Sequence, residues 1–471
     1  MKILKLFIGF LLITWVFGCQ KSSTDSEISI PSTPIESIMT TPLDETTMTI
    51  TIHFNSMGGT VIESIDTTML SSINEPNPPI KEGYQFFGWY TDEIIAVEQK
   101  MTDILPVSWP LSTEDLNQDI ELYALFIDYK EYDEWVFTQI DDGYSATSYL
   151  GDAAHIEIPR LYKGVPIIEL GYNLFENSLT LESIVIPKYV TTILDKAFED
   201  ALNLSFVIFE EDSQLEMIHE SAFHGTLSLK SITIPHTVIS INDYAFRRSG
   251  LENILFEEES SLTELGVGVF YMAKQLQSIT IPKSVHTIEH SVFYDAISLT
   301  SITFESGISL QVIPSNFLYN AELLAEIIIP KSVISIGIQA FEEASHLSSV
   351  IFEEDSQLEM IHESAFHGTL SLKSITIPHT VISINDYAFR RSGLENILFE
   401  EESSLTELGV GVFYMANLST ITIPLSVTSV GSMAFYENDQ SLIIYCMHTN
   451  QPSNWHTNWN PNLYQVIWLG S

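Results

Sequence analysis

The side chains in this sequence that could do chemistry are carboxylates, histidines and two cysteines. Acidic runs occur at Glu210-Glu211-Asp212, Glu257-Glu258-Glu259, Glu353-Glu354-Asp355 and Glu400-Glu401-Glu402. Paired carboxylates are what glycoside hydrolysis or calcium binding would need, but these runs recur on one repeating corner rather than converging on a cleft. No Asp-x-Asp-x-Asp-Gly spacing accompanies them. Set about two strand spacings apart, roughly 9.6 Å, two unit charges in water repel by only about 0.4 kcal/mol, so a solvated acidic ridge needs no metal. His219, His224 and His236 reappear as His362, His367 and His379, with no cysteine partner and no His-Glu-x-x-His context. Gly-x-Ser-x-Gly, P-loop and dinucleotide fingerprints are missing from the sequence. The expectation is a protein with no catalytic residue, no metal ligands and no cofactor, and therefore not an enzyme.

Cys19 has a different chemistry. Lys2 and Lys5 precede an apolar run from Leu6 to Phe17, the layout of an export signal and too short to span a bilayer comfortably. The end of the run, Val16-Phe17-Gly18-Cys19, resembles a bacterial lipobox, which implies lipidation of Cys19 as the new N-terminus. Cys446 is the only other cysteine. With Cys19 lipidated no internal disulfide can form, and Cys446, within Leu442-Ile443-Ile444-Tyr445, is expected to be a buried small residue.

Recognition has better candidates. In the recurring phrase Leu-x-x-Ile-x-Ile the x positions face away from the core. This exposes Ser231 and Thr233, Ser278 and Thr280, Ser301 and Thr303, Ser374 and Thr376, and Thr420 and Thr422 as a hydroxyl-lined ribbon. Such residues also suit exposed strand positions with no ligand at all.

The element that must position these residues is a repeat. Leu229, Ile232, Ile234, Val238, Ile241, Ala245 and Phe246 make one full copy, and twelve phenylalanines from Phe175 to Phe435 close successive copies 22 to 25 residues apart. That period belongs to leucine-rich solenoids, whose coils gain stability mainly from their neighbours. Alternate strands end in Ile-Pro (186–187, 234–235, 281–282, 329–330, 377–378, 423–424) and in Phe before acids (Phe209, Phe256, Phe304, Phe352, Phe399), so the true unit is two coils. Proline suits the strand end because it stops the hydrogen-bond ladder where the chain turns away. Residues 207–273 and 350–416 are identical, at an offset of 143 that preserves the register.

Two families are matched by these motifs. Ser56-Met57-Gly58-Gly59, Gly83-Tyr84-Gln85-Phe86-Phe87-Gly88-Trp89-Tyr90 and Leu122-Tyr123-Ala124 resemble the internalin B-repeat, or Listeria–Bacteroides repeat, a small β-grasp-like module; Phe126 stands where that family commonly has Trp. The Ile-Pro strand ends and Ala-Phe coil ends resemble the BspA-type leucine-rich repeats. The opening coil is read in Trp135-Val136-Phe137, Ile156-Glu157-Ile158-Pro159 and Gly164-Val165-Pro166. The tail, with Trp455, Trp459 and Trp468, departs from the period and reads as a cap over the last coil.

The expected fold is mainly β, a leucine-rich repeat solenoid of about 12 coils of 22–25 residues behind a small β-grasp-like module. The expected order is a signal peptide (1–18), a Ser/Thr-rich disordered tether (19–48), the B-repeat-like module (49–127), the solenoid (134–445) and the Trp-rich cap (446–471). With 19 Lys+Arg against 62 Asp+Glu, the net charge of −43 repels nucleic acid and anionic lipid headgroups. Any membrane contact is then expected through the lipid alone. The BspA resemblance implies an adhesin or interaction scaffold on a bacterial cell surface, with host or neighbouring-cell proteins as partners. A carbohydrate-binding lipoprotein is the alternative, although Ser and Thr rather than aromatics dominate the strand face. A transporter-associated solute receptor would need two α/β lobes that the sequence does not show.

Overall fold

In the computed structural model, which describes residues 49–68, 72–81, 84–91, 111–112, 118–128 and 132–470, each Leu-x-x-Ile-x-Ile phrase forms a four-residue strand. Cys19, the signal and the tether lie outside the described residues. Among the described residues every regular element is a β-strand.

One side of each coil is a four-residue strand, such as Ser231–Ile234, whose Ile232 and Ile234 are buried and whose Ser231 and Thr233 are exposed. A second side is a two-residue strand, such as Ser240–Ile241, paired in parallel with Met217–Ile218 before it and Glu264–Leu265 after it. The third side has no strand. There left-handed residues stand four positions apart, as at Lys196 and Asp200 (φ 60° and 52°). This turns alternate N–H groups toward the next coil: Lys196, Phe198 and Asp200 donate to the carbonyls of Glu220, Ala222 and His224 at 3.0, 2.8 and 2.7 Å. Between the three sides lies one continuous apolar core running from Ala146 to Tyr464. Its spine is a column of phenylalanine rings, with Phe198 and Phe223 4.9 Å apart and Phe223 and Phe246 5.2 Å apart, all nearly parallel.

The two-coil unit is also the unit of strand pairing. Within a unit the Ile-Pro strand and the Phe-ended strand pair over all four residues, as Ser231–Ile234 does with Asn253–Phe256. Between units the pairing is a remnant, one partner pair at Asn253 and Ser278 and two at Asn396–Thr420 and Ile397–Ile421, or is interrupted. Leu262 follows Phe256 by two more residues than Val238 follows Ile234. These extra residues lie in the acidic turn and carry the next strand out of full register.

Among the described residues fourteen strands line the four-residue side, two more than the twelve coils counted from phenylalanines. The additional rungs, Ile443–Cys446 and Gln465–Trp468, follow Phe435 and lack the Ala-Phe ending but keep the parallel ladder. The tail therefore holds the period in its backbone, and Trp459 sets its ring edge-on to Phe435 at 5.7 Å, where another phenylalanine would otherwise lie.

One coil departs from the expected register. Phe293 donates its N–H to the carbonyl of Phe317, and Leu318 donates to Ala340. Leu318 thus holds the column position and Phe317 the small-residue position that Ala245 fills elsewhere. The stack turns edge-on between Phe293 and Phe317, with an interplanar angle of 78°. The two-residue sheet breaks in the same coil, between Thr287–Ile288 and Val312–Ile313. Pro314 explains the break: the residue at its position in neighbouring coils, Glu289 or Gly337, donates to the preceding coil (Leu265 and Ile313), and proline has no N–H to give.

The N-terminal module is a mixed four-stranded sheet in the order 65–68, 49–55, 120–128, 84–90, its central pair parallel. Ile52, Phe54, Trp89, Leu122, Ala124 and Phe126 form its core. The Gly-Gly turn is required twice over. Gly58 is left-handed at φ 85°. A Cβ on Gly59 would come within 2.6 Å of the Phe126 ring.

Candidate interaction face

All ten hydroxyl residues expected on the strand face are exposed, but they do not form an unbroken hydroxyl ribbon. Ser278 and Thr280 pair directly with Ser301 and Thr303, and the Oγ1 atoms of Thr280 and Thr303 lie 2.9 Å apart. Asn253 and Leu255 separate that patch from Ser231 and Thr233. Asn396 and Leu398 likewise lie between Ser374 and Thr376 on one side and the Thr420 strand on the other. Ser278 and Thr420 donate to the side-chain oxygens of Asn253 and Asn396, both at 3.3 Å.

The interleaved residues are the part of the face that the hydroxyl pattern missed. Ile208, Leu255, Ile328, Ile351 and Leu398 all point outward, Leu255 and Leu398 at 59% exposure. For Ile208, Leu255, Ile351 and Leu398 the signal was present in Phe-ended strands such as Phe206–Phe209 and Asn253–Phe256, where an aliphatic residue fills the outward place that Thr233 fills in an Ile-Pro strand; Ile328 fills that place in the Ile-Pro strand Glu326–Ile329 itself. The face therefore mixes hydroxyl and aliphatic positions along the coil stack. Near its C-terminal end a groove of about 570 Å³ opens between strands, lined by Leu398, Thr420, Thr422, Leu425 and Met447 among others.

The acidic corner is built differently from a uniform solvated ridge. The first acid of each run reaches back one coil to the N–H that follows the Ile-Pro end. Glu210, Glu257, Glu353 and Glu400 accept from the backbone of Lys188, His236, Lys331 and His379 at 2.9–3.0 Å, and Glu305 does the same for Lys283. A turn amide that proline leaves without a ladder partner is thereby satisfied. In these runs the second and third acids are exposed.

The histidines are not isolated. The residues that follow the phenylalanine column form a polar column of their own, in which His224 Nδ1 lies 2.8 Å from Glu199 Oε1 and His367 Nδ1 3.0 Å from Glu342 Oε1. Arg247 and Arg390 come next, over the rings of Tyr271 and Tyr414. Tyr271 then stacks on Tyr294, and Tyr294 on Tyr319. Partners 25 residues apart carry no local sequence signal, so only the stacking of coils brings them together. Glu342, Glu343 and His367 each offer one ligand atom within 4.8 Å of the others. Cys446 is fully buried, and burial pushes its thiol up to about 12, far from a reactive thiolate. Trp455 and Trp459 are buried against the last coils, so their rings are not open to a sugar.

The family models agree with this architecture. The Listeria-Bacteroides repeat domain matches residues 51–124. A protein of Evansella cellulosilytica named "Putative membrane protein" is 38% identical over 74 residues, which are 16% of this chain and 10% of that protein, so the chain matches only a small part of that relative's length. Among solved structures, the pneumococcal vaccine antigen PcpA is 20% identical with a TM-score of 0.44, covering 71% of this chain and 96% of its own. A leucine rich cell surface protein of Faecalibacterium prausnitzii A2-165 is 23% identical with a TM-score of 0.36, covering 73% and 98%. The model of the BspA type leucine rich repeat region matches in six copies over residues 203–311 and 311–442, just over half of the chain, and the protein belongs to that family.

Proposed function

We propose that this protein is exported, anchored outside the cell by a lipid on Cys19, and binds other proteins through the strand side of its solenoid, as an adhesin or interaction scaffold. The carrying observation is the mixed face itself: outward hydroxyls are interspersed with outward aliphatic residues over successive coils. Hydroxyls alone would favour water. Exposed aliphatic side chains among them supply the apolar area that a protein contact buries, and the hydroxyls supply orientation. The partner is a surface protein of a host or neighbouring cell, which is what BspA-type resemblance implies.

The test is a solid-phase screen of extracellular matrix and cell-surface proteins beside a glycan array, repeated with two variants. One replaces Leu255 and Leu398 with Ser; the other replaces Glu258, Glu259, Glu401 and Glu402 with Gln. Glu257 and Glu400 are left intact because they hold turn amides. Loss of protein binding in the first variant alone supports the strand face. Loss in the second alone, with steep salt dependence in the parent, moves the site to the acidic corner and a basic partner. Binding to glycans and to none of the proteins replaces this reading with the carbohydrate-binding one.

A further inference from the structure

The internal duplication supplies its own control for one cluster. Residues 207–273 and 350–416 are identical, but the coils packed before them differ, so His224 and His367 meet different neighbours. In the first copy Glu199 is neutralised from two sides: Oε1 faces His224 and Oε2 accepts from Lys196 Nζ at 3.0 Å. In the second copy Glu342 replaces Glu199 and Gln339 replaces Lys196, with nearly the same left-handed backbone (φ 60° at Lys196, 57° at Gln339). The ammonium is gone. Glu342 is only 8% exposed, and its Oε2 is buried without a hydrogen-bond partner, the Gln339 amide standing in for the ammonium as a neutral neighbour only. A second carboxylate, Glu343, stands where the first copy has Asp200, and its ligand atom lies within 4.8 Å of those of Glu342 and His367. Around Glu199 no such trio forms among the described residues.

A carboxylate oxygen buried without a partner is costly, and more so beside a second negative charge. Burial by itself raises the Glu342 carboxyl, but the hydrogen bond from His367, the Gln339 amide and the charges of His367 and Arg390 outweigh it and hold Glu342 ionised, while the nearby Tyr319 brings no cation. We propose that Glu342, Glu343 and His367 bind a divalent ion of the zinc type at the place where the first copy puts the Lys196 ammonium. One imidazole nitrogen with two carboxylate oxygens suits a borderline ion such as Zn²⁺, whereas calcium takes six to eight oxygens. Ligation through one ring nitrogen of His367 needs the neutral imidazole that carries its proton on the other nitrogen.

Titration of the purified full-length protein with Zn²⁺, followed by calorimetry and by the shift in unfolding temperature, tests this in three chains. The parent, Gln339→Lys and Glu343→Gln are compared at one pH above neutrality. Gln339→Lys restores the first copy's arrangement, which the same protein already shows to be compatible with folding. The parent is expected to bind one Zn²⁺ at least about tenfold more tightly than either variant, and to gain more in unfolding temperature from Zn²⁺ than either. Exposed histidines contribute equally to all three chains and cancel in the comparison. A parent that binds Zn²⁺ no better than Gln339→Lys overturns the proposal. A difference seen with Ca²⁺ and not with Zn²⁺ overturns the choice of ion.

Discussion

Glu257 and His236, twenty-one residues apart, are joined twice across one coil boundary: Glu257 Oε2 accepts the backbone N–H of His236 at 2.9 Å and lies 3.1 Å from its Nδ1. Glu400 and His379 repeat the arrangement in the duplicated segment. A residue that reads as one of three equivalent surface acids is thus the partner of a turn amide, and its neighbours Glu258 and Glu259 are not.

Glu257→Ala should therefore cost about 0.5–1.5 kcal/mol locally, while Glu258→Ala stays within about 0.5 kcal/mol. Because a long repeat array need not unfold in one step, the measurement is amide hydrogen exchange in the peptide around His236. Equal protection in the two variants would remove Glu257 from its assigned role.

The phenylalanine column gives a second expectation. Phe246→Ala opens a cavity in a fully buried stack and should cost about 3–5 kcal/mol, whereas Thr233→Ala on the exposed face should cost under about 0.5 kcal/mol. Phe317→Ala alone should also be severe. Pairing it with Leu318→Phe rebuilds the small-residue–Phe order of the other coils and should recover much of the loss. A double variant less stable than Phe317→Ala would contradict the register at Leu318.

Acid should weaken the polar column. Burial by itself raises the Glu199 carboxyl, but hydrogen bonds from Lys196 and His224, and their charges, outweigh it and leave the folded pKa below the ordinary 4.5. The folded chain then binds that proton less readily than the unfolded one. The stabilisation is fully present above the ordinary carboxylate value and is lost as pH falls through the lower folded value. The difference in unfolding temperature between the parent and Glu199→Gln should accordingly shrink on acidification through that range. A difference independent of pH would show that the carboxylate contributes by packing alone.

At the N-terminus, Cys19→Ser should release the protein from the membrane fraction or leave an unprocessed precursor. Metabolic labelling with a fatty-acid analogue reads the modification directly. Unchanged processing, labelling and membrane retention in the variant would exclude Cys19 as the anchor.

The repeat was legible in the sequence because its determinants are local. The alternation in Ile232-Thr233-Ile234 decides which side chains face inward, Pro235 decides where the strand stops, and Phe246 marks the coil's end, all within one stretch of chain. The same locality made the two-coil unit and the outward position of Thr233 readable. Tertiary structure alone decided whatever depends on two coils meeting. Leu255 lies beside Thr233, Glu257 reaches His236, and Glu342 meets His367, each across 21 to 25 residues of intervening chain. Leu318 rather than Phe317 holds the column place because carbonyls of the next coil select which N–H faces them. A period states how often a coil recurs; the register between neighbouring coils is set by hydrogen bonds and ring packing that form only when the coils stack.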